Sequence, residues 1–390
     1  MARDYDLILY GATGFTGKLV AEYLAARPGE PVRWAMAGRN AAKLAAVRDA
    51  VGAPADIALL TVDADDAAAL AAMAERTEVV LSTVGPYQLY GSALVEACVA
   101  TGTGYVDLCG EPGWMREMID AHEAAAKVSG ARIVFSCGFD SIPFDSGVER
   151  LQALCLKRWG RPASHIKGRV VAMRGGFSGG TAASLKATLA AAAAHPSLLT
   201  LLASSFALTP GFEGPRQPRM SLPYHDESVG AWVAPFVMAP INTKNVHRTN
   251  LLLGHRYGAD FRYDEMIVVP GLGEIGKAAA EAVAAANPFG GDTLKPGDGP
   301  SREEREKGHY KILFVAEDEG HGRLALSVSG DRDPGYGSTS RMIAETAICL
   351  ATEADRRPGI WTPAALMGAT LVDRLQRHAG LVFAEEPAAA

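Results

Sequence analysis

Seven residues near the start of the chain have the types and spacing of a phosphate-binding turn. They follow the apolar run Leu7–Tyr10, which predicts a buried strand, and they open a segment with a helical pattern. Glycine lets a backbone turn tightly and approach a pyrophosphate closely, and the free N–H groups of a helix start can then hold the phosphate oxygens. A glycine turn that only packs the helix on the sheet is the alternative. We predict a dinucleotide site formed by Gly11, Thr13, Gly14, Phe15, Thr16 and Gly17.

The end of the second predicted strand indicates which dinucleotide fits. It reads Ala37-Gly38-Arg39-Asn40 and has no acidic residue, whereas NAD(H) sites usually carry Asp or Glu there to hold the ribose 2′-hydroxyl. The Arg39 guanidinium can pair with a 2′-phosphate, and Asn40 can add a hydrogen bond. We therefore predict NADP(H), with a solvated Arg39 at a helix start as the alternative. Asp63, after the third predicted strand, either binds the adenine amino group or caps the next helix.

A third group of candidates follows the fourth predicted strand, in the run Val84-Gly85-Pro86-Tyr87. The carboxyl ends of strands near the middle of such a sheet face the cofactor crevice. Gly85 would permit close approach of the nicotinamide ribose, and Pro86 would stiffen the loop. We assign Val84, Gly85 and Pro86 to the cofactor site, with a simple tight turn as the alternative.

The elements that must position these residues alternate regularly up to about residue 140. Short apolar runs alternate there with helical patterns, which predicts an α/β fold with an N-terminal Rossmann doubly wound parallel sheet. The alternation then stops, and later strand-like runs predict a second, mixed α/β unit that holds the substrate. We predict an NADP-binding Rossmann domain over 1–140, a substrate domain over 141–340, and C-terminal helices over 341–390 that pack back on the first domain.

Three other segments carry expectations of their own. Residues 181–208 are apolar but are interrupted by a lysine, a histidine and a proline, so we expect a buried helix with a break; an apolar cover for a lipid-like ligand or an interfacial helix is the alternative. The polar segment 286–308 predicts a mobile loop. We expect the last residues, 385–390, to be frayed.

Composition excludes several classes of function. The chain has 390 residues, 48% of them hydrophobic and 21% charged, and its net charge is −6. These values predict a folded protein, and the acidic balance argues against nucleic acid as a partner. Five cysteines at wide spacing without a Cys-x-x-Cys pair predict neither a disulfide framework nor a metal site. The first residues lead directly into a strand, so we expect no signal peptide and a cytoplasmic protein.

Several longer motifs, taken in order, resemble one family of enzymes. GATGFTG, AGRN, STVGPY, YVDLCGE and CGFDSIPFD are followed by GGFSGGTAAS, GIWTPAALMG and RLQRHAGLVF. This series resembles the saccharopine-dehydrogenase-like oxidoreductases and, within them, the trans-acting enoyl reductases of mycobacterial type. The first motif occurs in many families, whereas the combination is specific and covers the chain from about Tyr5 to Phe383.

The resemblance implies a reaction and partners. It implies NADPH-dependent reduction of an enoyl group on a polyketide-derived lipid chain, in trans to a synthase. We therefore expect a lipid-like or acyl-thioester substrate, carried by a carrier protein, and a homodimer. Contact with a membrane surface is a further expectation, from the apolar middle segment. A saccharopine-type amino-acid dehydrogenase and a non-catalytic NADPH- or lipid-associated binding protein are the alternatives.

The proton donor is the least determined part of the site. No tyrosine has a lysine four positions later, which disfavours carbonyl reduction of the short-chain dehydrogenase type. Enoyl reduction needs a hydride on one alkene carbon and a proton on the other. The catalytic candidates are Tyr87 and Asp140, with Cys137, His247 and water as further sources. Each side chain has a structural alternative, in packing, in a turn or on a surface strand.

The best substrate candidate in the second unit is a glycine-rich loop before an apolar helix. Its glycines can present backbone donors, and Thr181 can cap the helix that follows. The segment lacks an arginine cluster, which suits a thioester or lipid carbonyl better than a dicarboxylic amino acid. A long capped turn is the alternative. The predicted substrate residues are Gly175, Gly176, Phe177, Ser178, Gly179 and Thr181.

Overall fold

The computed structural model describes residues 3–27, 31–175, 179–194, 196–286 and 299–387, and two seven-stranded sheets organise them. The strands are β1 Tyr5–Tyr10, β2 Trp34–Gly38, β3 Leu59–Thr61, β4 Thr77–Ser82, β5 Gly104–Val106, β6 Arg132–Val134, β7 His165–Arg174, β8 Tyr224–Asp226, β9 Ala231–Pro235, β10 Arg262–Val268, β11 His309–Asp318, β12 Gly322–Gly330, β13 Gly359–Trp361 and β14 Leu381–Glu386.

Helices connect these strands and cover the faces of both sheets. They are α1 Phe15–Ala26, α2 Ala41–Val51, α3 Ala67–Ala74, α4 Tyr87–Tyr90, α5 Ser92–Thr101, α6 Pro112–Ser129, α7 Ile142–Trp159, α8 Gly179–Ala194, α9 Pro196–Ala203, α10 Ala239–Leu252, α11 Gly273–Ala285, α12 Arg302–Lys307, α13 Thr339–Thr352 and α14 Pro363–His378, with a π-helical turn over Pro334–Ser338 before α13.

The first sheet is parallel throughout and has the order β13-β6-β5-β4-β1-β2-β3. Six of its strands have the Rossmann order 3-2-1-4-5-6, so the predicted fold class is confirmed. Leu7, Ile8 and Leu9 of the central strand are fully buried, as expected for a strand covered by helices on both faces. The point where the strand order reverses lies between β1 and β4, and this is where such sheets bind ligands.

The C-terminal segment contributes to both sheets. Helix α13 packs beside α1 and over β1, β4 and β5, while β13 extends the first sheet next to β6. Strand β14 instead pairs with β12 at the edge of the second sheet. The tail that we expected to be frayed therefore holds a strand up to Glu386, because its main-chain groups pair with β12. Residues 388–390 lie outside the described part.

The second sheet is mixed, with the order β14-β12-β11-β7-β10-β9-β8. Strand β7 is parallel to β10 and antiparallel to β11. Helices α7 and α10 pack on this sheet and on each other. The sequence did not reveal α10 as a helix because its polar residues are distributed around the whole helix, and nearly all of them are buried.

Helices α8 and α9 occupy the apolar segment for which we expected a buried helix. The described side chains of α8 include exposed ones, Lys186 and Ala190 among them, so the expectation of a buried helix is wrong. No helix in the described residues is both long and apolar enough to span a membrane. The segment predicted as a mobile loop contains α12, which begins with a capping box between Ser301 and Glu304; its residues 287–298 are not described.

Candidate functional site

The predicted phosphate-binding turn connects β1 to α1 at the switch point of the first sheet. Gly11 has a φ of +91°, a conformation that other residues rarely adopt. A Cβ atom on Gly11 would lie 2.7 Å from Val84 Cγ2 and 2.8 Å from Thr83 Oγ1. The turn is thus seated directly against the loop that follows β4, and only glycine permits this approach.

The other two glycines have different roles. A Cβ on Gly17 would lie 2.1 Å from the carbonyl oxygen of Gly11, so Gly17 lets α1 pack against its own turn. Gly14 is exposed, and a Cβ there would stand 3.4 Å from that oxygen. Among the described residues no side chain caps α1, whereas Asn40 caps α2 and Asp66 caps α3. The first N–H groups of α1 are therefore open to phosphate oxygens.

Arg39, Asp63 and Tyr10 meet at the carboxyl ends of three neighbouring strands. Burial and the charge of Asp63 raise the pKa of Tyr10 to about 12, while the charge of Arg39 acts to lower it. Arg39 and Asp63 are exposed at this edge, where the adenosine end of a dinucleotide lies in Rossmann folds. A guanidinium in this position fits a 2′-phosphate.

Two polar neighbours of Arg39 are partly engaged in local structure. The Oδ1 atom of Asn40 accepts a hydrogen bond of 2.9 Å from the Lys43 N–H. If Asn40 contacts a coenzyme, it would therefore donate from its side-chain Nδ2 group. Asp63 Oδ1 accepts from the Asp65 N–H at 3.2 Å. The alternative that Asp63 caps the next helix is wrong, because Asp66 holds that position and accepts from the Ala69 N–H.

Val84, Gly85 and Pro86 form the loop between β4 and α4, next to the glycine turn. Tyr87, the first residue of α4, does not have the free hydroxyl that a proton donor needs. Its hydroxyl donates to the Ser82 carbonyl oxygen at 3.3 Å and accepts from the Leu108 N–H at 3.0 Å. Its ring stacks on Trp114, and burial raises its pKa well above the usual value. These contacts hold the Tyr87 hydroxyl and ring within the protein, so we do not propose Tyr87 as the proton donor.

Two buried carboxyl groups after β5 hold the neighbouring loops. Asp107 accepts hydrogen bonds from the N–H groups of Cys109 and Ser136 and from the Tyr105 hydroxyl, and burial raises its pKa to about 7. Glu111 accepts from the N–H groups of Tyr87 and Gln88 and so caps α4. Glu111 also accepts from the Ser184 hydroxyl at 2.7 Å, which connects α8 to the first unit.

Asp140 lies in the loop that crosses from β6 to α7 and has the features of a proton donor. The residue as a whole is partly accessible, but its Oδ1 atom is buried and has no hydrogen-bond partner among the described residues. Burial raises the pKa of this carboxyl to about 7, so it retains a proton near neutral pH. Among the predicted donors, only Asp140 combines a pKa near 7 with a polar atom that has no hydrogen-bond partner in the described residues.

The two remaining donor candidates do not fit. Cys137 is fully buried, and burial raises the pKa of its thiol well above the usual value. His247 is a buried residue of α10, not a surface strand residue, and burial lowers its pKa to about 3. A neutral imidazole at this pKa has no acidic proton to give near neutral pH.

The structure adds a residue that sequence reasoning missed. Glu265 of β10 is fully buried and accepts hydrogen bonds from the Asn242 side-chain amide at 2.8 Å and the Tyr263 hydroxyl at 2.9 Å. Burial, with smaller contributions from the negative charges of Asp140 and Asp264, raises the pKa of Glu265 to about 8. The only signal in the sequence is an acid inside a strand pattern, where a buried charge needs a reason.

The substrate loop is described only at its two ends. Gly176, Phe177 and Ser178 lie outside the described residues. A Cβ on Gly175 would lie 2.6 Å from Pro334 Cδ, so β7 ends against the π-helical turn, whose Tyr336 ring packs edge-on against Phe15 of the glycine turn. Gly179 and Thr181 belong to α8, which begins at Gly179. The expectation that Thr181 caps this helix is therefore wrong, because Thr181 lies inside it.

Fold and site together define a Rossmann oxidoreductase with a second α/β unit. The family model for the saccharopine dehydrogenase NADP-binding domain matches residues 7–134. A Mycobacterium tuberculosis protein named as a candidate trans-acting enoyl reductase is 40% identical over 401 residues, which cover 96% of each chain. Trans-acting enoyl reductases of Mycobacterium tuberculosis and Mycobacterium leprae are both 36% identical, over 98% of this chain and 97% of theirs.

The chain belongs to the trans-acting enoyl reductase family, within the saccharopine-dehydrogenase-like oxidoreductases. The saccharopine dehydrogenase (L-glutamate-forming) of Saccharomyces cerevisiae has the same fold, with a TM-score of 0.55 and 10% identity over 97% of this chain and 100% of that one. The predictions of an NADP-dependent oxidoreductase and of NADP as its cofactor are confirmed. The residues of the glycine turn fit this cofactor, because the open start of α1 and Arg39 supply donors for its phosphates.

Proposed function

We propose that this protein uses NADPH to reduce the enoyl group of a polyketide-derived or lipid acyl chain, presented in trans. The observation that carries the proposal is the match to trans-acting enoyl reductases along almost the whole chain, at 36–40% identity. Two structural features support it independently. One is the apolar helix pair α8 and α9 beside the loops after β4 and β5, and the other is the partly accessible acid Asp140 in the loop between β6 and α7.

Helices α8 and α9 lie against the first unit where an acyl chain would need an apolar cover. Ser184 of α8 bonds to Glu111, and Thr188 accepts a hydrogen bond from the Gln88 side chain at 3.4 Å. A Cβ on Gly113 would lie 2.7 Å from Leu198 Cδ1 of α9. The alanine- and leucine-rich pair thus borders the loops after β4 and β5, next to the proposed nicotinamide position. We assign the acyl chain to this side.

A saccharopine-type substrate fits the described residues less well, because its carboxylates would need free cations. The buried Arg169 is fully engaged, with Asp226 at 2.7 Å and Asp264 at 2.7 Å. Arg248 donates to the carbonyl oxygens of Leu208 and Ile360. These arginines hold the protein together and are not available to a dicarboxylic amino acid.

The protein's part in the reaction is to position the alkene and to supply a proton. NADPH, when bound at this site, would supply a hydride for the β-carbon of the enoyl thioester. Asp140 protonates the α-carbon, where the displaced electron pair arrives. A carboxyl group with a pKa near 7 can give up this proton and regain it within the neutral range.

The test has two assays on the purified protein. The first follows NADPH oxidation with enoyl thioesters, and the second follows NADP reduction with saccharopine. We expect oxidation with enoyl thioesters only, and turnover with saccharopine alone would overturn the proposal. Asp140→Asn should lower kcat by about 10²–10⁴-fold, the usual contribution of a general acid. Tyr87→Phe is the matched control, since it removes a buried hydroxyl and should lower stability by about 1 kcal/mol while leaving most of the activity.

The organisation of the chain extends this proposal. Residues 1–140 would bind the coenzyme, 141–340 the substrate, and 341–390 would hold the two together. We propose a carrier protein that presents the acyl chain, because the relatives are named trans-acting enoyl reductases. A homodimer and contact with a membrane surface stay predictions from the sequence.

A further inference from the structure

A cavity lined by arginines lies between α1 and the segments on either side of β11 and β12. It has a volume of about 210 Å³, and α1, α12, the residue after β12 and the start of α13 form its wall. We infer that this cavity is a second anion site, which binds the phosphate group of a ligand other than the coenzyme. Its charged lining residues are Arg302, Arg305, Arg332, Arg341, Glu22 and Glu306.

Both carboxylates in the wall of this cavity are engaged by one arginine. Arg302 of α12 contacts the Glu22 carboxylate of α1 through its Nη2 atom, and its Nη1 atom lies 3.8 Å from Glu306 Oε1. The side chain of Arg302 is mostly exposed and lies at the rim. The negative charge in the wall is therefore balanced at Arg302, and the other three arginines carry an excess of positive charge.

Arg305 and Arg332 are fixed in the wall without an anionic partner. Arg305 Nη1 donates to the Pro300 carbonyl oxygen at 2.7 Å, and Arg332 Nη1 donates to the Glu306 carbonyl oxygen at 3.2 Å. Within the described residues neither arginine forms an ion pair, and their Nε and Nη2 groups have no hydrogen-bond partner. These two groups form the edge with which a guanidinium binds two oxygens of one phosphate.

Arg341 adds a third guanidinium group from the start of α13. Its Nη1 atom lies 3.7 Å from Asp331 Oδ1, which is beyond hydrogen-bond distance, and Asp331 is not part of the cavity wall. Three cations in one concave wall raise the local potential and attract anions. A phosphate group, which can carry two negative charges and offers several oxygens, matches them better than a single carboxylate does.

The cavity adjoins the coenzyme turn but is separate from it. The guanidinium carbon of Arg305 lies 5.7 Å from the centre of the Phe15 ring. Glu22 is seven residues after Phe15 on α1, which is about 10 Å along the helix axis, whereas the coenzyme phosphates are assigned to the start of α1. The cavity is also smaller than the roughly 300–1,000 Å³ of sites for drug-sized ligands. It therefore suits one anionic group and not a second coenzyme molecule.

The test is isothermal titration calorimetry of the NADPH-saturated protein with inorganic phosphate at constant ionic strength. Saturation with NADPH keeps phosphate out of the coenzyme site. We expect saturable binding of one phosphate per chain. Arg332→Gln should raise the Kd for phosphate about 10- to 150-fold, the loss that follows from one charge-assisted hydrogen bond. The absence of saturable binding to the parent protein would overturn the site.

A second variant and a matched control make this test independent of folding and of net charge. Arg341→Gln alters a side chain with no hydrogen bond in the described residues, and it should raise the Kd for phosphate as well. Arg158→Gln removes an exposed arginine of α7 that lies 3.0 Å from Glu385 Oε1, outside the cavity, and should leave the Kd unchanged. An equal rise in all variants would show that phosphate responds only to net charge, and the site would fall.

A phosphate ester distinguishes two sources of the anion. Titration with glycerol 3-phosphate under the same conditions should give a lower Kd than inorganic phosphate if the cavity takes an esterified phosphate, and an equal or higher Kd if it takes the free ion. The affinity of Arg332→Gln for NADPH, measured without phosphate, should equal that of the parent protein. A large loss of NADPH affinity in this variant would assign Arg332 to the coenzyme and overturn a separate site.

Discussion

We propose that the choice between NADPH and NADH depends on Arg39. It follows β2 with its side chain exposed, and it forms no ion pair within the described part of the chain. Its charge reaches Tyr10 together with that of Asp63, which places it at the edge where the adenosine ribose lies in Rossmann folds. The guanidinium is therefore free for the 2′-phosphate that distinguishes NADPH from NADH.

We expect Arg39→Ala to weaken NADPH binding far more than NADH binding. The loss of a charge-assisted hydrogen bond costs about 1.5–3 kcal/mol, which corresponds to a roughly 10- to 150-fold higher Kd for NADPH alone. Fluorescence titration of the purified protein with each coenzyme measures both values.

The neighbouring Asn40 provides the control for this substitution. Asn40→Ala removes the cap of α2 and should lower stability by about 1 kcal/mol, with the preference for NADPH largely kept. If Arg39→Ala weakened the binding of NADPH and NADH equally, the 2′-phosphate would have to be bound by other residues.

Residue types identify candidate donors, but burial decides among them. Tyr87, Cys137 and His247 have suitable chemistry in the sequence, and each is enclosed in the fold in a way that removes it from proton transfer. Asp140 could be proposed from its place after the sixth strand, whereas Glu265 could not. Its burial and its hydrogen bond from Asn242 of α10 depend on how the chain packs, and no local pattern carries that information.

Most elements of the first sheet could be predicted because their signals are local. Helix α2 Ala41–Val51, for example, has an Asn cap before it and a left-handed Gly52 after it, and both are signals within the local sequence. Elements missed by prediction depend on distant contacts. Strands β13 and β14 are short or polar and exist because β6 and β12 offer free edges. Helix α10 has no apolar face because it is surrounded by protein on all sides.

The start of α1 offers a prediction at the scale of one element. Gly17→Ala would place a Cβ atom 2.1 Å from the Gly11 carbonyl oxygen, and because that neighbour is backbone, the helix and the turn must move apart. We expect a loss of about 1–3 kcal/mol in the free energy of unfolding. Urea denaturation of the coenzyme-free protein measures it.

Gly14→Ala is the matched control on the same turn. The added Cβ atom would lie 3.4 Å from the Gly11 carbonyl oxygen, with no other atom nearby. The free energy of unfolding should therefore fall by less than about 1 kcal/mol. The added methyl group lies at the open start of α1 and should weaken the binding of NADPH and of NADH to the same extent. If Gly14→Ala bound both coenzymes as tightly as the parent, the phosphates could not lie over this helix.

At the scale of the whole molecule, segments attached to the two sheets contact each other. The first sheet supplies the glycine turn, Arg39 and the loop with Asp140. The segments attached to the second sheet supply the apolar helices α8 and α9 and the turn that packs against Phe15. The C-terminal segment connects them, since it adds β13 to one sheet and β14 to the other. The stability of this connection should therefore matter to the site.

A buried ionic cluster anchors the C-terminal segment to the first helix. Glu345 of α13 is fully buried, and its Oε1 atom accepts from the Tyr23 hydroxyl at 2.5 Å and from Arg27 Nε at 3.1 Å. Arg374 Nε of α14 lies 2.6 Å from Glu345 Oε2. One carboxylate thus joins α1, α13 and α14, and its charge is balanced by two guanidinium groups with side chains only 6% and 7% exposed.

We expect Glu345→Gln to lower the free energy of unfolding by about 3–5 kcal/mol, because it removes the buried carboxylate that Arg27 and Arg374 share. Glu353→Gln removes a second carboxylate from the same Arg374, but this one is a third exposed, and exposed pairs contribute about 0–1 kcal/mol. Urea denaturation of both variants compares the two directly. Similar small losses would show that apolar packing of α13 on the first sheet holds the C-terminal segment without the cluster, whereas the large difference would identify Glu345 as its anchor.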